Sequence, residues 1–148
     1  MSRLSHIAAA VALLAATTLS GVARADNQDV IDYRQHIMKT LGEQAQSLAM
    51  VLQGKAPAEN VAIHAQLLAV TAATVEKAFV AKVPGGEAKA DVWAKWDDFS
   101  KKAKETAAAA ADLAKVAQSG GVEAAKAKMA APGLGCKGCH DTYREQKK

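Results

Sequence analysis

The 148-residue sequence predicts an all-α fold, an antiparallel up-and-down four-helix bundle. Three observations lead there. Apolar residues recur at spacings of three and four, Gly and Pro divide that pattern into four stretches, and the two-residue alternation of strands is absent. Alanine, a strong helix former, is abundant throughout.

The first stretch covers residues 28–53. Val30, Arg34, Ile37, Met38, Leu41, Ala45, Leu48 and Leu52 fall on one side, and Gly54 and Pro57 end it. Asn60 is placed to cap the second stretch, whose stripe is Val61, Ala65, Leu68, Ala72, Val75 and Phe79. Pro84-Gly85-Gly86 breaks the chain. The third stretch runs from about Ala88 to Gln118, with Val92, Trp96, Phe99, Ala103, Thr106, Ala110, Leu113 and Ala117 forming a bundle seam; Gly120-Gly121 ends it. The fourth begins at Val122, is interrupted at Pro132-Gly133 and resumes from Gly135 to Gln146. Residues 26–148 make one domain. Trp93, Trp96, Phe99, Met50 and Met129 are expected to pack the bundle.

Residues 1–25 read as a signal peptide. Arg3 and His6 precede the apolar run Ile7 to Leu19, and Ala23-Arg24-Ala25 offers small residues for cleavage before Asp26. The run is too short to cross about 30 Å of hydrocarbon, so the mature chain is expected in the periplasm with no membrane attachment. The whole chain carries +4, and removing Arg3 and Arg24 with the signal leaves +2. So small and evenly mixed a charge does not suggest a nucleic-acid partner. Aromatic residues are 4% of the chain, and small side chains fill a core poorly, so a bulky group inside the bundle would be useful.

The two cysteines sit at Cys136 and Cys139. A disulfide at that spacing closes too short a loop to stabilise much. Cys136-Lys137-Gly138-Cys139-His140 instead matches the C-x-x-C-H signature of one covalently attached haem c. Residues three apart lie on nearly the same side of a helix, so both thiols can reach the two vinyl groups on one porphyrin edge. His140 follows as the proximal iron ligand. A thioredoxin-like pair would follow a strand, and a zinc site needs four ligands where only His36 and His64 remain.

A signal peptide, four helices, Tyr33-Arg34-Gln35-His36-Ile37-Met38 early in the chain and C-K-G-C-H-D-T-Y-R at its end together resemble the class II c-type cytochromes. That group contains cytochrome c' and its low-spin relatives. The resemblance implies that Met38 faces the distal side of the haem as sixth ligand, placing the chain in the low-spin Met/His branch. It also implies that Arg34 and Gln35 lie near the propionates and Arg144 near the proximal imidazole. Spacing is compatible: Met38 lies about 40° around the helix from Arg34, whereas His36 lies about 200° away on a polar face. His64 borders the second stripe. Arg144 is four residues after His140, on its face.

The leading expectation is a periplasmic electron carrier with His140 and Met38 as axial ligands, passing electrons to redox partner proteins. Lys137, Arg144, Lys147 and Lys148 would form a basic rim that steers acidic partners. No catalytic acid–base pair is visible, so no enzymatic role is expected. The alternative is a five-coordinate haem that binds or detoxifies nitric oxide, and a third reading is a haem-free helical module. A homodimer through the first two helices is compatible with the resemblance.

Overall fold

The computed structural model describes residues 26–130 and 134–146. The expected signal peptide, the Pro132-Gly133 interruption, Lys147 and Lys148 lie outside the described residues. Those described are helical, with two isolated bridges and no strand among them.

Helix α1 spans Asn27–Leu52. Asp26 caps it: its carboxylate accepts from Asp29 N at 2.9 Å, and Asp29 accepts from Asp26 N at 3.1 Å. At the far end Gly54 takes φ +70°, and Lys55 N donates to Met50 O.

After a 3-10 turn at Ala58–Asn60 come α2, Val61–Ala72, and α3, Val75–Phe79. Asn60 holds the cap position, but its side chain makes no capping bond, because the preceding turn already sets the entry. The expected second helix is divided at 73–74. Thr71 Oγ1 donates to Leu67 O and Thr74 Oγ1 to Thr71 O, hydroxyls engaging carbonyls of the helix ladder. All six residues of its stripe are buried even so.

The third helix starts later than expected. A short α4, Asp91–Ala94, is followed by Lys95 at φ −119°, and then by the long α5, Trp96–Ala130. Gly121, at φ 62° and ψ −149°, kinks α5, so its two arms serve as the third and fourth helices of the bundle. Helix α6, Cys136–Tyr143, completes the fourth. The architecture is the expected four-helix bundle.

The core has two parts. Leu48, Val51, Val61, Leu68 and Leu113 anchor an aliphatic cluster between α1, α2 and α5. Ile37, Phe79, Val92, Phe99 and Tyr143 anchor an aromatic one against α6. Leu41 packs on both. Each fully buried Leu or Val contributes about 1.5–3 kcal/mol. Met129 packs as expected, whereas Met50 is 49% exposed on the outer face of α1. Ile63, Leu67 and Val70 also point outward, an apolar stripe along α2.

Candidate haem site

Helix α6 begins where Gly135 adopts the left-handed conformation, φ +70°, which turns the chain from buried Leu134 into the helix. Cys136 is exposed, while Cys139 and His140 are half-buried on its next turn. Tyr143 fixes the helix against the bundle. Its ring meets Phe99 edge-on, with centroids 5.4 Å apart, and its hydroxyl donates to the Asp98 carboxylate. Burial first, and then the Asp98 carboxylate, push the Tyr143 phenol up to about 12, so this donor persists until the pH approaches that value. Asp98 also accepts from Lys102 at 2.9 Å. Tyr143 thereby anchors the turn that carries His140.

Desolvation of the sulfur atoms, although Cys136 as a residue is exposed, pushes both thiols up from their usual value. A reactive disulfide-exchange pair favours the opposite shift. Burial first, and the Arg144 charge second, push His140 down, favouring the neutral imidazole, the form that could ligate a haem iron. Among the described residues no group of three or more His, Cys, Asp or Glu could hold a bare metal ion. A haem, whose porphyrin supplies four nitrogens, needs one protein ligand and two thiols on one helix face. Cys136, Cys139 and His140 meet that need. An open cleft of about 380 Å3 lies beside Cys139, between Lys102, Thr106 and Ala109 of α5 and Leu134, Gly135 and Gly138.

Arg34 is buried rather than lying at an exposed helix edge. Its guanidinium donates to Val83 O at 2.6 Å and Gly85 O at 3.3 Å, and lies 5.1 and 5.3 Å from the Phe79 and Trp93 ring centroids. The guanidinium thus engages the loop between α3 and α4. Gln35 is exposed over the same loop, where a Cβ on Gly86 would come 3.0 Å from its Nε2. Met38 is half-buried and packs on the aromatic cluster, as do Cys139, Trp93 and Trp96. His36 is exposed, and His64 Nδ1 pairs with Gln44 Oε1 at 3.0 Å. In the basic rim, Lys137 pairs with Asp141 and Arg144 with Glu87, so these charges are partly offset. Sequence reasoning missed Glu87, Tyr143 and Asp98. For Tyr143 a signal was there, since it stands three residues beyond His140 and therefore on a neighbouring face.

Comparison with known proteins bears on the sixth iron position. The family model described as Cytochrome C' matches residues 29–144. The chain is 35% identical over 119 residues to cytochrome c' of Pararhodospirillum photometricum, covering 78% of this chain and 95% of that one. It superposes with a TM-score of 0.75 on a nitric oxide complex of a cytochrome c' variant from Alcaligenes xylosoxidans, at 26% identity, over 83% of this chain and 99% of that one. A carbon monoxide complex of another variant of that protein gives 0.74, also at 26% identity, over 82% and 98%. These gas complexes overturn the expectation of a low-spin electron carrier ligated by His140 and Met38. A gas needs an accessible position on the iron, which a permanent methionine ligand would fill. What the structure gives Met38 is packing, a common use of its flexible thioether. With the family model matched across nearly all the described residues and a relative of this identity, the chain belongs to the cytochrome c' family, whose members carry covalently bound haem c.

Proposed function

We propose that this protein is exported to the periplasm and binds a small neutral gas, nitric oxide foremost, at a five-coordinate haem iron held by His140. The observation that carries this reading is the nitric oxide complex of a relative with the same fold. The surroundings of Met38 agree with it. An apolar cluster of Ile37, Phe79 and Phe99 offers an uncharged diatomic a setting with little water. The haem supplies an iron that coordinates the gas. Cys136 and Cys139 hold the group to α6, Tyr143 and Asp98 fix that helix, and His140 presents a neutral nitrogen.

The absorption spectrum of the purified holoprotein tests this directly. High-spin five-coordinate bands are expected in both oxidation states, with new bands on adding nitric oxide. Met38→Ala should leave the spin state as it was. Low-spin bands that turn high-spin on that substitution would refute the reading.

The stripe of Ile63, Leu67 and Val70, between 42% and 58% exposed, favours packing of α2 against a second copy of this chain. Sedimentation should give a dimer, and Leu67→Lys a monomer with an unchanged haem spectrum. A wild-type monomer at high concentration would exclude this arrangement.

A further inference from the structure

The segment between α3 and α4 is clasped to the end of α6. Lys89 N donates to Tyr143 O at 3.0 Å, Glu145 N donates to Glu87 O at 2.8 Å, and Ala88 bridges to Arg144. Arg34 holds the same segment from the α1 side through Val83 O and Gly85 O. In this clasp the Glu87 carboxylate meets Arg144. Nε and Nη2 both lie 2.6 Å from Oε2. Arg144 in turn is one helical turn beyond His140, and its backbone N–H donates to His140 O at 3.1 Å.

We propose that Glu87 is a positioning residue for the proximal ligand: it holds Arg144 at one place beside His140 and offsets its charge, and so sets the electrostatic field on the ligated face of the iron. The pair is poorly suited to a purely structural role. Both side chains are about two-fifths exposed, and ion pairs so placed contribute little stability. The backbone bonds of the clasp already join the two segments without it. What the pair does provide is a cation in a defined place. An unopposed cation near the haem disfavours the extra positive charge of the oxidised iron, and Glu87 reduces that effect.

The inference rests on His140 as the proximal ligand and is independent of the gas bound. It is tested on the full holoprotein by midpoint potential and by the iron–histidine stretching band of the ferrous form. Glu87→Gln should raise the potential and move the band, while the urea midpoint stays close to wild type. Glu87→Asp, which keeps the charge, should restore most of the potential. In an Arg144→Gln background Glu87→Gln should still raise the potential but should no longer move the iron–histidine band, because the cation that Glu87 places is gone. A wild-type potential and band in Glu87→Gln would overturn the inference, as would an equal band shift in both backgrounds. Absence of any iron–histidine band in the wild-type protein would instead remove the reading of His140 on which it rests.

Discussion

Replacing Cys136 and Cys139 together with alanine should leave the exported chain without covalently held haem. Intact-mass measurement should find the wild-type protein starting at Asp26 and carrying one haem, and the double variant at its bare polypeptide mass. The effect is expected to be complete, because the chain has no other cysteine to offer a thioether bond. Each single variant retains one thiol and should carry haem at much reduced yield. Helix α6 should tolerate the change. Cys136 is exposed, and Tyr143 still holds the helix through Phe99 and Asp98 where Cys139 loses part of its contact with the aromatic cluster. A double variant that still carried covalent haem would contradict the assignment of the site.

Arg34→Ala should lower the unfolding free energy by about 3 kcal/mol, read from urea denaturation of wild type and variant. The substitution removes donors from Val83 O and Gly85 O and the cation from the Phe79 and Trp93 rings. Hydrogen bonds to a charged donor contribute about 1.5–3 kcal/mol each, and the emptied space adds a packing loss. Arg34→Met, which keeps the aliphatic stem, should recover only the packing part. A loss below about 1 kcal/mol would refute the role given to Arg34 in the loop. The haem spectrum separates this role from a propionate contact. A loop clamp destabilises the chain and leaves the bands of the folded fraction unchanged, whereas loss of a propionate partner would alter them at little cost to folding.

The fold was legible where burial follows helical periodicity. The six residues of the second stripe are all buried, as are Val92, Phe99, Ala103, Ala110, Leu113 and Ala117 in the third. Gly121 marked the kink because its positive φ is open to glycine at little steric cost. Local competition was harder to see. The hydroxyls of Thr71 and Thr74 divide the second helix, and the turn before Asn60 makes its side-chain cap unnecessary. Cys136, Cys139 and His140 stand out in the sequence because the chemistry of covalent haem attachment dictates such a spacing. The partners of Arg34 and Arg144 were not, since Val83 lies 49 residues from the one and Glu87 lies 57 from the other, in a loop with no periodicity to read. Met38 drew attention through its place in a family motif, yet the same thioether can ligate iron or fill a core. Residue identity alone does not choose between them.

The division of the interior into an aliphatic and an aromatic half has a consequence for the chain before the cofactor arrives. Leu48, Val61, Leu68 and Leu113 close their half without any residue of α6. The other half depends on Tyr143 and borders Cys139, the point of attachment. Amide exchange in chains not yet carrying haem should therefore be slow along α2 and the middle of α5, and fast through α6 and the segment clasped to it. Such a gradient would keep both thiols accessible for thioether formation while most of the scaffold is already formed.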